Sequence, residues 1–172
     1  YEYTGDKTFR ELAEKNTFKL YPLKQKGTDH DLGFQMNCSF GNAYRITGEQ
    51  KYLEPIHTSA RVLAGRFSPV TGVIRSWDFV RKGRDWKYPV IIDNMMNLEH
   101  LYNAGLLFGD DTLKSVAVTH ANTTLCNHFR PDFTWWTTTP PTAASAGRRP
   151  CRASATNPPG RGDRPGRSTA TR

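Results

Sequence analysis

The sequence has no run of about 18 apolar residues, so no segment reads as a membrane-spanning helix. A signal peptide with a basic start and an apolar stretch is also missing, and the chain opens on Tyr1 in what reads as the interior of a helix. The expectation is that an original N-terminus lies upstream, and the sequence assigns no compartment. Cysteine is scarce: Cys38, Cys126 and Cys151 lie far apart, with no CxxC or Cys/His ligand spacing. That pattern favours free thiols over a disulfide scaffold or a metal site. Lysine is absent after Phe133, and large aliphatic side chains almost so.

These last absences divide the chain. Residues 1–132 carry 17 Lys+Arg against 15 Asp+Glu, a net of +2, whereas residues 133–172 carry seven Arg against one acid, Asp163. The formal charge of +8 is therefore a property of the tail, and the nearly neutral body gives no reason to expect a nucleic acid or membrane partner. Thr-Thr-Thr-Pro-Pro, Asn-Pro-Pro-Gly-Arg-Gly and scattered Arg give the tail the composition of a disordered segment.

The body reads as helices joined by short turns. Phe9, Leu12 and Ala13 recur at helical spacing opposite Arg10, Glu11, Glu14 and Lys15. Phe34, Met36, Phe40, Ala43 and Tyr44 mark a second helix, 52–67 a third with Pro55 near its start, and 91–107 and 111–127 two more. Between Ser68 and Pro89 the period vanishes and a long ordered loop is predicted. Tyr1-x-x-Thr4-Gly5-Asp6-x-x-Phe9 recurs 43 residues later as Tyr44-x-x-Thr47-Gly48-Glu49-x-x-Tyr52, and more loosely as Phe108-Gly109-Asp110-x-x-Leu113. A helix that stops at a left-handed glycine, followed by an acid at the next helix's positive end, explains the pattern. Its repetition indicates stacked helical hairpins, closed into an α/α toroid or left open as a solenoid.

Two segments hold candidate chemistry. In Thr28-Asp29-His30-Asp31-Leu32-Gly33-Phe34 two acids flank a histidine, and in 90–98 Asp93, Asn94 and Asn97 interrupt an apolar run. A carboxyl group in apolar surroundings keeps its proton more readily, which makes Asp93 a candidate general acid. The competing reading for Asp29, Asp31 and Asp93 is that of helix N-caps. No second histidine lies at i+3 or i+4 from His30, so no metal site is expected. Arg75, Trp77 and Asp78 in the loop offer an aromatic face beside a guanidinium, suited to a sugar carboxylate, although Trp77 alone equally fits a core anchor. His120 and His128 are expected to be polar residues of a helix C-terminus that complement its dipole.

Taken in order, DHDLGF, SFGNAYRITGEQKY, GVIRSWD, PVIIDNMMNLEHL and HANTTLCNHFRPD resemble glycoside hydrolase family 88, the unsaturated glucuronyl hydrolases, over residues 1–132. The resemblance implies an all-α fold, an (α/α)6 toroid of which 1–132 is a partial catalytic domain, and no cofactor or metal. It implies as substrate an oligosaccharide ending in a 4,5-unsaturated uronic acid, cleaved by hydration of the enol ether. By motif position Asp93 matches the general acid/base, Asp31 a second essential acid and Trp77 a substrate-stacking tryptophan. His30 and Asn94 adjoin the acids and are assigned to substrate binding beside them. The oligomeric state is not legible. The competing readings are the related unsaturated rhamnogalacturonyl hydrolases and a non-catalytic helical-repeat binding module, in which both acids would be ordinary caps.

The tail departs from the family, which would continue with HVVDYDP and then QGYxDESAWARGQAW. Tryptophan has one codon, so Thr134-Trp135-Trp136-Thr137-Thr138-Thr139-Pro140, shifted by one nucleotide, can be read as HVVDYDP for a suitable choice of degenerate third bases, and 152–171 likewise as QGFSDESAWARGQAWSLYGY. The tail thus reads as out-of-frame translation, and so do its Arg161-Gly162-Asp163 tripeptide and its basic character. A partial ring leaves apolar helix faces unburied, so the polypeptide is expected to be aggregation-prone and inactive or nearly so. The encoding DNA, read in the neighbouring frame after about Phe133, is predicted to continue the family pattern; a coding sequence without it would refute the frameshift.

Overall fold

The computed structural model describes residues 1–79, 82–83 and 86–129; the expected disordered tail, 133–172, lies outside them. Helix α1 (Lys7–Lys19) begins where the Asp6 carboxylate accepts the Thr8 N–H. Helices α2 (Leu32–Met36) and α3 (Asn42–Thr47) join through one π turn, Asn37–Gly41, with the backbone right-handed throughout. Helix α4 (Leu53–Ala64) follows, with Pro55 and Glu54 in its first turn. A two-residue hairpin, β1 (Phe67–Ser68) and β2 (Val73–Ile74), interrupts the helices in antiparallel register. Then α5 (Met95–Phe108) and α6 (Asp111–His128) pair across a two-residue turn. The architecture is all-α helical hairpins, the arrangement of an incomplete (α/α)6 toroid.

The turn repeat has the physical basis expected of it. Gly5, Gly48 and Gly109 have φ of 70°, 66° and 66°, a region that other residues enter only with strain. Each returns its N–H to the carbonyl four residues back, on Tyr1, Tyr44 and Gly105 respectively. The following acid occupies the next N-cap position in all three copies, and Asp6 and Asp110 accept backbone N–H groups there.

The core collects one face of each of four helical segments: Leu32, Met36 and Phe40; Ile56, Ala60 and Leu63; Leu98, Leu101 and Ala104; Leu113, Val116 and Ala117. Spacings of three and four residues keep each set on one stripe. Helix α1 departs from its expected amphipathic role. Phe9 and Leu12 are 55% and 58% exposed, and the helix is anchored by its last turn, where Phe18 meets Phe40 edge-on at 5.6 Å. Periodicity defines an apolar stripe, but only a neighbour buries it, and no described element covers this one.

Close packing of α2 on α5 brings the two candidate segments together. A Cβ on Gly33 would lie 2.7 Å from Leu63 Cδ2 and 2.8 Å from Asn97 Cβ, so only glycine allows this approach. The contact lets Asn97 on α5 accept the otherwise free Phe34 N–H of α2, at 2.6 Å.

Candidate active site

Residues 28–30 and 76–78 lie side by side as a short antiparallel ribbon: His30 N–H donates to Ser76 O at 2.8 Å and Asp78 N–H to Thr28 O at 3.1 Å, with Asp29 opposite Trp77. The His30 ring also reaches Ser76 O, through Nδ1 at 2.7 Å. A carbonyl oxygen can only accept, so Nδ1 carries the hydrogen and Nε2 points the other way. Around Nε2 stand Asp31 Oδ1 at 3.3 Å and Asp93 Oδ1 at 3.4 Å. Two acids from segments remote in sequence thus converge on one buried imidazole nitrogen. His30 is 3% exposed, whereas the side chains of Asp31 and Asp93 are 55% and 46% exposed.

The cap reading does not describe these acids. Asp31 occupies the N-cap position of α2 but its side chain caps nothing, and Asp93 lies within the 3-10 turn Ile92–Asn94 that precedes α5, also without a cap bond. Asp29 is occupied by the neighbouring Thr28 hydroxyl, at 3.1 Å, and stays outside the pair.

Ser76 was not singled out by the sequence, yet it joins the two acidic segments. Its carbonyl holds His30, while its wholly buried hydroxyl oxygen accepts the Ile91 N–H and the Asn94 amide, each at 3.0 Å. Asn94 is equally buried and also donates to Ile74 O at 2.9 Å, so its amide braces the chain on which Asp93 sits. Asn97 completes the brace by donating to Asp93 O. Nothing in composition or periodicity marks one serine in a loop for such a role. Trp77 is 5% exposed and stacks on Phe79 at 5.7 Å beside Trp86.

His120 and His128 lie on the buried side of α6 with Thr124 between them, at successive four-residue steps. The His120 Nδ1 accepts the Ile74 N–H at 2.8 Å. Burial, helped by nearby His128 and His30, depresses the His120 pKa to about 4, and burial also lowers that of His128. Neutral rings do not complement a helix dipole by charge, so here the structure corrects the sequence reading: both are buried neutral rings, and His120 serves as a backbone acceptor. His100, beside the Ser59 hydroxyl at 2.8 Å, is also lowered to about 4 by burial. A cavity of about 460 Å³ lies away from the acids, next to Arg66, Arg75 and Tyr88. Its Arg66 fork is already taken by Asp78 and by the Gly27 and Arg75 carbonyls, so we read it as structural.

No family model matches the chain. An unsaturated glucuronyl hydrolase of Formosa agariphila is 42% identical over 134 residues, 77% of this chain and 33% of that protein. An unsaturated chondroitin disaccharide hydrolase of Streptococcus agalactiae is 33% identical over 135 residues, again 77% of this chain and 33% of that protein. Among solved structures, an unsaturated glucuronyl hydrolase specific for heparin superposes with a TM-score of 0.77 at 45% identity, covering 83% of this chain and 38% of that one. The chain spans about a third of the length of the curated relatives it matches.

Two predictions follow from the hydrogen-bonding and burial just described. Ser76→Ala removes the acceptor of two buried donors and should destabilise the chain by about 1–3 kcal/mol in urea unfolding; an unchanged midpoint would show that the bridge carries no weight. For His100 and His120 the folded pKa lies below the unfolded one, so their stabilisation is complete above about pH 6.5 and is lost as pH falls toward 4. Unfolding free energy should drop by about 1–2 kcal/mol per ring between pH 7 and pH 5, above the window in which paired carboxylates such as Asp78 titrate. A flat profile over that interval would contradict it.

Proposed function

We infer that the chain belongs with the unsaturated glucuronyl hydrolases, glycoside hydrolase family 88, to which it is similar over most of its own length. From that premise we propose that residues 1–132 form the part of a catalytic domain that supplies two carboxyl groups for hydrating a terminal 4,5-unsaturated glucuronic acid on lyase-generated oligosaccharides. The observation that carries the reading is the convergence of Asp31 and Asp93 on His30 Nε2, with neither acid engaged as a cap.

In this reading Asp93, in its acid form, delivers a proton to C4 of the double bond while water adds at C5. Its carboxylate then takes the proton that the water releases, so the group is restored. The C5 hemiketal opens, and the sugar at C1 leaves from the opened chain. Asp31 orients the sugar beside Asp93. His30, locked through Nδ1, positions both. Trp77, buried in the ribbon beside Asp29, supports the site from beneath, and Asn94 holds the Asp93 backbone. The carboxyl-separation rule for displacement at an anomeric carbon has no bearing on an addition to an alkene.

The test supplies the rest of the ring. Residues 1–129 grafted in place of the matching third of the Formosa agariphila enzyme should give a chimera that consumes an unsaturated heparin or chondroitin disaccharide, read as loss of enol-ether absorbance. The unfused chain should give background only. Asp93→Asn and Asp31→Asn in the chimera should each lower kcat by about 10²-fold or more, with circular dichroism unchanged. A folded but inactive chimera, or a fully active Asp93→Asn variant, would overturn the assignment.

A further inference from the structure

We infer that His30, Asp31 and Asp93 form a site for a divalent transition-metal ion, and that metal and catalytic proton compete for it. The three ligand atoms lie within 4.8 Å of one another. Nε2 to the two Oδ1 atoms measures 3.3 and 3.4 Å. Ligands about 2.0–2.1 Å from a tetrahedral zinc are roughly 3.3–3.4 Å apart, so these two edges already match.

The second observation concerns hydrogen bonding. His30 Nε2 and Asp93 Oδ1 are buried and have no hydrogen-bond partner among the described residues. Buried polar atoms are rarely left so, and an ion seated beside both would satisfy them together. Because Nδ1–H is held by Ser76 O, a neutral His30 directs its Nε2 lone pair at the carboxylates. A backbone carbonyl that fixes the far nitrogen is the usual outer-shell arrangement of a metal-bound histidine.

Ligand chemistry narrows the ion. One imidazole and two carboxylates suit zinc, cobalt, nickel or copper, and the two negative charges balance a dication. Magnesium and calcium prefer oxygen alone, and the imidazole works against them. The half-exposed side chains of Asp31 and Asp93 leave a path for the ion and for water to complete its shell. An ion bound here would hold both acids as carboxylates and leave no proton for C4. The inhibitory consequence therefore rests on the proposed hydration chemistry, whereas the binding does not.

Isothermal titration of the 172-residue chain with zinc chloride at pH 7 should show one saturable site, with magnesium chloride binding far more weakly. His30→Asn keeps a donor near the Nδ1 position for Ser76 O and removes Nε2; it should weaken that site by about tenfold or more, as should Asp93→Asn. Melting without metal checks the fold of each variant, and Asp31→Asn replaces either one that fails to fold. In an active chimera, zinc should inhibit competitively with the disaccharide. Equal zinc affinity in the wild type and all folded variants, or no saturable binding in the wild type, would overturn the site. Binding is read without turnover, so an inactive chimera bears on the reaction alone and an absent zinc isotherm bears on the metal alone.

Discussion

Ser76 is the residue through which the rest of the site is tied together. Its carbonyl receives both the backbone and the ring N–H of His30, and its hydroxyl oxygen receives donors from Ile91 and Asn94. One buried serine therefore sets the separation between a segment that starts α2 and a segment that starts α5. Any chemistry that needs Asp31 and Asp93 at hydrogen-bonding range from one nitrogen depends on that separation. Its surroundings support it, since the Ser76 N–H is itself held by Pro89 O at 2.7 Å.

Packing and polar contacts act on the same geometry from different sides. Gly33 lets the helices approach, the Asn97 side chain caps α2 from α5, and His120 on α6 accepts the Ile74 amide just ahead of Ser76. The loop thus hangs between three helices by named hydrogen bonds, which explains how a stretch with little regular structure can carry a defined site. The acids themselves stay half exposed, while the groups that hold them are buried. Rigid support beneath accessible reacting groups is the arrangement that a positioned acid–base pair requires.

Much of this could be read from the residues alone. Helical spacing located the helices, and the glycine–acid turns gave their order. Acids in apolar context marked 29–31 and 93, while the motif strings supplied the family. What could not be read was tertiary in origin. The meeting of Asp31 with Asp93 depends on helix approach, and Ser76 carries no signal beyond being a small polar residue. Burial makes His120 and His128 neutral rings where sequence position suggested polar residues complementing a helix dipole. Phe9 and Leu12 show the reverse error, apolar spacing without a covering neighbour.

The left-handed glycine turns have a consequence for how such a fold can be divided. At each one the closing N–H is satisfied within a few residues, and after Gly5 and Gly109 so are first donors of the next helix, without help from a distant hairpin. Severing the ring at such a turn exposes hydrocarbon and leaves the peptide hydrogen bonds intact. A hairpin parted from its neighbours would keep its helices and become adhesive, so the unit of loss or exchange in this architecture is the whole hairpin, and its natural remedy is another hairpin.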